Sequence, residues 1–288
     1  MTRWLVTGAG GQLGHHLVSQ LRTAGETVAA PTRDELDICR PGDVDGVMAA
    51  HQPDVVVNAA AYTAVDAAET NEAAAFEANA TGPELLARAL ARHGGRLVQV
   101  STDYVFDGRA SRPYEPGDPT GPRTAYGRTK LAGEEAVRRE LADRSRVVRT
   151  AWVYGGPGPN FVDTMRRLEA ERETVSVVND QVGSPTWVAD LAGALIQLGR
   201  MEQSPTFLHY VNTGTASWFD LAREVFRICG ADPDRVRPTT TAAMPRPAPR
   251  PAWSVLSTQA WTAAGLREPR PWREALADAM AAPAVALR

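Results

Sequence analysis

The chain is poor in cysteine. Cys39 and Cys229 lie far apart and are too few for a disulfide scaffold or a metal knuckle, so a reducing compartment with two buried thiols is expected. Nor is there an excess of one charge: 31 lysines and arginines stand against 34 aspartates and glutamates, for a net charge of −3. With the arginines scattered among acids, that balance argues against a nucleic-acid or anionic-membrane surface. No apolar run reaches the roughly 18 residues a membrane span needs. The beginning, MTRWLVTGAGG, lacks the basic start, apolar stretch and cleavage site of a secretory signal, so a cytoplasmic protein is expected. Neither a GxxxxGK[ST] loop nor a tandem repeat of fixed period occurs, which removes P-loop hydrolases and solenoids. What is present, 43% hydrophobic and 23% charged residues in 288, fits a globular chain of one large or two unequal domains with a small-molecule partner.

Short valine-rich runs recur at 3–7 (RWLVT), 27–30, 54–58 (DVVVN), 96–102 (RLVQVST), 146–152 and 174–178 (TVSVV) and read as buried parallel strands. Helical spacing fills the gaps, with Leu13, Leu17 and Leu21 in one segment and Leu85, Leu86, Ala89 and Leu90 in another. Strand and helix in alternation predict an α/β fold, a Rossmann-type doubly wound parallel sheet. The alternation loosens after about residue 150. We therefore expect residues 1–150 to form a dinucleotide-binding domain, rejoined by segments within about 174–212, and 151–288 to form mainly a smaller substrate-binding domain. The proline-rich stretch RPTTTAAMPRPAPRP, 237–251, reads as a loop pinned to that domain, because amphipathic sequence follows it.

Directly after the first strand comes GAGGQLG, with Gly8, Gly10, Gly11 and Gly14 leading into a helix. Glycine serves here because the chain must turn tightly and bring its backbone against a pyrophosphate, whose charge then rests on the helix N-terminus. Gln12 and Leu13 open that helix. After the second strand, PTRDELDI places Arg33, Asp37 and Ile38 where the cofactor ribose would lie, with Asp34 a solvated neighbour. Arg33 suits the 2′-phosphate of NADPH, the cofactor expected, with NADH also admitted.

TAYGRTK puts Tyr126 and Lys130 four positions apart, on one face of a helix. A ketone receiving hydride must also take a proton, and a phenol titrating near 10 is a reluctant donor unless a neighbouring ammonium lowers its pKa. In VSTDYVFDG, Ser101 or Thr102 supplies a hydroxyl at a strand end. Alternation turns them to opposite faces and does not choose between them.

VTGAGGQLG, NAAAYTAVDAAE, NATG, STDYVFDG, YGRTK, RTAWVYG and DQVGSPTW occur in an order and spacing that resembles the dTDP-4-dehydrorhamnose reductase family, a branch of the extended short-chain dehydrogenase/reductases, over nearly the whole chain. The resemblance implies reduction of the C4 ketone of a dTDP-4-keto-hexose to dTDP-L-rhamnose. It assigns Thr102 to polarise the carbonyl, Tyr126 to donate the proton and Lys130 to hold the nicotinamide ribose. Around the cofactor it implies Gly8, Gly11, Gly14, Asp37 and Ala60 with its neighbours Ala59 and Ala61, and near the sugar Thr63, Tyr104 and Trp152. Gln181, Pro185, Thr186, Arg250, Ser254 and Leu256 resemble a nucleotide-sugar wall, with the Arg250 fork suited to a diphosphate. Asn79 resembles a helix-interrupting asparagine that holds water behind the lysine. Most of the other later tryptophans, which include Trp187, Trp218 and Trp253, are expected in the core. Some family members form a magnesium-bridged homodimer through carboxylates, one of them in the first helix. Here His15 and His16 stand in that helix, so a homodimer is admitted but no metal is expected. Two other readings are a related deoxysugar reductase, for example one making dihydrostreptose, and a non-catalytic cofactor-binding regulatory subunit.

Overall fold

The computed structural model describes residues 1–282, so 283–288 of the expected second domain lie outside the described residues. Five of the valine-rich runs form strands β1 (Arg3–Thr7), β2 (Thr27–Ala29), β3 (Val55–Asn58), β4 (Arg96–Thr102) and β5 (Ser145–Thr150). Helices α1 (Gln12–Thr23), α2 (Pro41–His51), α3 (Val65–Ala68), α4 (Glu72–Phe76), α5 (Gly82–His93) and α6 (Ala125–Glu140) connect them. All pairings in this sheet are parallel, in the order β2-β1-β3-β4-β5, and a sixth strand, Phe207–His209, adds beyond β5. The chain runs outward from β1 in both directions, so a crevice opens at the carboxyl ends of β1 and β3, where such folds hold their ligands.

Both faces of the sheet are covered, which is why its strands are apolar runs with little alternation. Trp4 and Val6 pack with Leu17, Leu21, Leu191 and Leu195 on one side. On the other, Leu5 packs with Val44, Met48, Leu86 and Leu90. The helix Val188–Arg200 brings the later sequence back onto α1, where the Gln20 side chain donates to the carbonyl of Ala189 at 2.9 Å. A third core, with Tyr154, Val162, Val177, Phe226 and Leu276, organises the remaining later segments.

The run at 174–178 does not join the central sheet. Val175–Val178 pairs in parallel with Val236–Thr239 in a separate two-stranded sheet. Its own pattern explains the difference: Val177 is buried and Ser176 exposed, as in a strand covered on one face, whereas every residue of β3 is buried. The actual sixth strand, Phe-Leu-His, is too short and too poor in β-branched residues to announce itself. The proline-rich stretch is pinned. Thr241 donates through its amide and hydroxyl to Asp180 at 2.9 and 2.7 Å, and the amide of Ala248 donates to Asp66 at 3.1 Å. The two cysteines are free thiols; Cys229 is exposed rather than buried, because it ends a helix at the surface, and Cys39 is half-buried. No helix among the described residues is long and apolar enough to cross a membrane.

Candidate active site

A cavity of about 1490 Å³ runs along the carboxyl ends of the sheet and out beneath the later segments. It exceeds the roughly 300–1,000 Å³ of a single small-molecule site, so it has room for two ligands end to end. Gly8, Gly10, Gly11, Gln12, Leu13, Arg33, Asp37, Ile38 and Ala59 to Ala61 line one end, and Thr63, Tyr104, Trp152 and Arg250 the other, with Thr102, Tyr126 and Lys130 also on its wall. Asp34 is exposed and outside the lining.

The glycine turn is built by steric necessity. Gly8 has φ +66°, and a Cβ there would sit 2.6 Å from the amide nitrogen of Ala60. At Gly14 a Cβ would meet the carbonyl oxygen of Gly8 at 2.1 Å. Gly14 is therefore not a cavity residue, as the motif suggested, but the buried contact that lets α1 approach β1. A Cβ at Gly10 would meet nothing within 4 Å, so space does not require glycine there. The cap residue of α1, Gly11, has no side-chain hydrogen bond to the helix, and the first-turn amides face the cavity end without a side-chain acceptor. That cradle fits a pyrophosphate. Arg33 is exposed at the rim, while the Asp37 carboxylate accepts from the amide of Cys39 at 3.0 Å and lies 3.7 Å from Arg40.

Ser101 and Thr102 both line the cavity, and Glu134 sets them apart in bonding. The Ser101 hydroxyl donates to that carboxylate at 2.5 Å. Thr102 Oγ1 instead accepts the amide N–H of Tyr104 at 3.2 Å and donates to Asp103 at 2.9 Å. Glu134 is itself buried and held by Arg149, which donates to both its oxygens at 2.9 and 2.7 Å. Helix α6 starts at Ala125 because the Thr124 side chain accepts the amide of Gly127 at 3.0 Å. This cap puts Tyr126 in the first turn and Lys130 one turn later. Two glycines of α6 permit its close seating. A Cβ on Gly127 would lie 2.2 Å from the Tyr104 carbonyl, and one on Gly133 would lie 2.0 Å from that of Asn79.

Lys130 is buried and donates to the carbonyl of Val100 at 2.7 Å. Burial pulls its pKa down to about 8, opposed by the Glu134 charge. The expected lowering of the Tyr126 pKa is not seen in the protein alone. Desolvation of the hydroxyl pushes it up to about 12, the Thr102 hydroxyl opposes, and the Asp103 charge adds to the rise. Asn79 lies in a π-helical turn, Glu77–Thr81, as an interrupting residue should. Its side chain bonds the backbone of Tyr62 at 2.8 and 3.1 Å and the Thr129 hydroxyl at 3.1 Å, which ties this turn to α6.

At the other end, Trp152 has φ +47°, a conformation that costs a bulky residue of order 1–3 kcal/mol unless its surroundings impose it. Trp218 stacks on Trp152 with centroids 3.6 Å apart and planes at 8°. Gly183 leaves the room, since a Cβ there would come within 2.5 Å of the Trp152 ring. Trp218, expected in the core, is thus half-buried in the cavity wall. Arg250 reaches the cavity with its guanidinium already paired to Asp66 at 2.8 Å. Gln181 also lines the cavity, whereas Pro185, Thr186, Ser254 and Leu256 do not. Tyr104 meets Tyr126 edge to face, 5.6 Å between centroids. The sequence reading missed Asp66, Asp103, Glu134, Gly127 and Gly133, all of which stand inside or beside its quoted motifs. Among the described residues no three His, Cys, Asp or Glu side chains come together as a metal site.

The fold and this set of side chains define a class: an α/β, Rossmann-type protein of the extended short-chain dehydrogenase/reductase kind. The chain belongs to the RmlD substrate binding domain family, whose model matches residues 2–284. It is 53% identical to the dTDP-4-dehydrorhamnose reductase of Mycobacterium tuberculosis, covering 98% of this chain and 93% of that one. It is 54% identical to the probable dTDP-4,6-dihydroxy-2-methyloxan-3-one 4-ketoreductase of Streptomyces antibioticus, covering 96% and 94%. Among solved structures, the Bacillus anthracis dTDP-4-dehydrorhamnose reductase in complex with NADP superposes with a TM-score of 0.93 at 36% identity, covering 97% of this chain and 99% of that one.

Proposed function

We propose that this protein is an NAD(P)H-dependent reductase that converts the C4 ketone of dTDP-4-dehydrorhamnose to the hydroxyl of dTDP-L-rhamnose. The observation that carries the reading is the meeting of Thr102, Tyr126 and Lys130 on the wall of the cavity that also holds the glycine turn. Reduced nicotinamide supplies the hydride when bound. Thr102 donates a hydrogen bond to the ketone oxygen, and Tyr126 gives the proton that turns the alkoxide into a hydroxyl. With a phenol near 12, Tyr126 stays protonated until an alkoxide forms, so it acts as an acid and not as a base in the resting site. Lys130, near 8 and so mostly charged at neutral pH, stabilises the phenolate left behind and positions the nicotinamide ribose. Gly8, Gly10, Gly11, Gln12 and Leu13 face the pyrophosphate, with Gly14 behind them. Arg33, Asp37, Ile38 and Ala59 to Ala61 surround the adenosine side, Arg33 favouring NADPH. Thr63, Tyr104 and Trp152 contact the hexose and Arg250 the diphosphate. In this division of labour, residues 1–150 with Val188–His209 carry the cofactor, and most of the later chain carries the nucleotide sugar. Cytoplasmic residence and a homodimer belong to the same proposal, the latter to be checked by light scattering.

The Streptomyces relative, just as similar, favours a second reading in which the substrate is another dTDP-4-keto-deoxysugar. Incubation with NADPH and each candidate dTDP-4-keto sugar, followed by NMR of the product, separates the two. Formation of dTDP-L-rhamnose supports the first; turnover confined to a different sugar supports the second; no NADPH oxidation with any of them overturns both.

A further inference from the structure

Asp103 is a buried acid beside the reacting groups that the reaction as described does not use. It is 4% exposed and lies on the cavity wall directly after Thr102. Thr102 Oγ1 donates to its Oδ1 at 2.9 Å, while Oδ2 has no hydrogen-bond partner. The Ser254 hydroxyl, also buried, has none either. No lysine or arginine bonds the carboxyl among the described residues. The titratable groups that feel its charge are the phenols of Tyr104 and Tyr126, and Arg250 and Asp66 act on Tyr104 as well. Burial raises the Asp103 pKa to about 6, with the nearby Ser254 and Thr102 hydroxyls and the amides of Asp103 and Tyr104 opposing.

A hydroxyl has one hydrogen to give and two lone pairs to receive with. In the structure Thr102 spends its hydrogen on Asp103, and one lone pair takes the Tyr104 amide. To polarise a ketone that hydrogen must turn to the substrate. An ionised Asp103 would then face the bare Thr102 oxygen, acceptor against acceptor, beside an oxygen that is gaining negative charge. A protonated Asp103 resolves the conflict by donating to the second lone pair, which satisfies Thr102 on every side.

We propose that Asp103 is a positioning residue that carries a proton in the productive complex and donates it to Thr102, freeing the Thr102 hydrogen for the substrate ketone. The proton is not consumed: hydride goes to C4, the proton on the new hydroxyl comes from Tyr126, and Asp103 keeps its own. The proposal rests on the assignment of Thr102 as donor to the ketone. Its consequence is a kcat/KM that falls as pH rises through the Asp103 titration, below the separate fall near 8 set by Lys130.

The test compares pH profiles of kcat/KM for the dTDP-keto sugar with NADPH in wild type, Asp103→Asn and Thr102→Val, with NADPH binding measured by fluorescence to check folding. Asparagine donates to Thr102 at every pH, so Asp103→Asn should lose the limb near 6. The ratio of wild-type to variant kcat/KM should then drop about fiftyfold between about pH 6 and pH 8, the loss of one proton from a group titrating near 6. Parallel wild-type and Asp103→Asn profiles would overturn the proposal while leaving Thr102 in place. Near-wild-type turnover by Thr102→Val would overturn the Thr102 assignment and this proposal with it. If Asp103→Asn does not bind NADPH, the wild-type profile decides: a one-proton fall across that interval supports the proposal and a level profile overturns it.

Discussion

The two ends of the cavity are made rigid in different ways. At the cofactor end the backbone does the work. Gly8 and Gly14 are fixed by clearances of 2.6 and 2.1 Å that admit no side chain, and the helix start follows from them. At the nucleotide-sugar end side chains hold one another: Trp218 stacks on a left-handed Trp152, and Asp66 clamps both Arg250 and the Ala248 amide. A wall built by backbone exclusion should fail abruptly when one methyl is added. A wall built by side-chain partnership should yield in steps.

The largest effect is expected where the two ends meet. Tyr126→Phe removes the proton donor and little volume, so kcat should fall by about 10²- to 10⁴-fold while the Kd for NADPH stays within about twofold. Stopped-flow single turnovers with the dTDP-keto sugar measure both, and near-wild-type turnover would remove Tyr126 from the chemistry. The abrupt failure is tested next. Gly14→Ala forces its methyl into the Gly8 carbonyl, a kind of overpacking that costs about 1–3 kcal/mol or more, so NADPH affinity should drop on the order of 10-fold to 10²-fold. Gly10→Ala, with nothing within 4 Å, should leave affinity within about twofold. Equal losses in the two variants would break the comparison at its cofactor end.

How much could be read from the sequence follows the same division. The glycine turn and the Tyr126–Lys130 spacing were legible because each is local: neighbours in the chain make the geometry, and few residue types satisfy it. What separates Thr102 from Ser101 was not, because Glu134, which takes the Ser101 hydroxyl, comes from a different element. The placement of Val175–Val178 failed for a related reason. Strand propensity is local, but its partner, Val236–Thr239, is about sixty residues further on. Trp218 read as core because a tryptophan at a helix start says nothing of what it stacks upon. The family resemblance supplied Trp152 and Arg250, yet not the groups that hold them.

The stepwise failure has its own measurement. Trp218→Ala takes away the stacking partner of Trp152, and aromatic pairs are worth about 0.5–1.5 kcal/mol beyond their burial, so KM for the dTDP-sugar should rise about two- to tenfold with NADPH affinity unchanged. Trp218→Phe should recover most of that loss. An alanine variant that also loses NADPH would show that the later core has come apart rather than the wall.

Apart from the Gly10→Ala control, the smallest expected effect concerns Asp66, and its sign is opposite to the losses above. Its carboxylate does two things: it accepts the Ala248 amide at 3.1 Å, which ties the proline-rich stretch down, and it neutralises the Arg250 guanidinium at 2.8 Å. Burial alone would raise its pKa, but Arg250 and that amide outweigh it, so the group is held below the usual carboxylate range and is ionised at neutral pH. If Arg250 receives the diphosphate, as proposed, that ligand shares the fork with Asp66 or displaces it, and two anions on one guanidinium oppose each other. Asp66→Asn keeps an oxygen for the amide and removes the charge. Partly exposed pairs of this kind are worth only about 0–1 kcal/mol, so the gain is modest: dTDP should bind about two- to fivefold more tightly to Asp66→Asn, read by calorimetry at low salt. Asp66→Ala removes the tie as well, so its affinity should fall back to or below that of wild type. If Asp66→Asn bound dTDP more weakly than wild type, Arg250 would be a structural partner of Asp66 and not the group that receives the diphosphate.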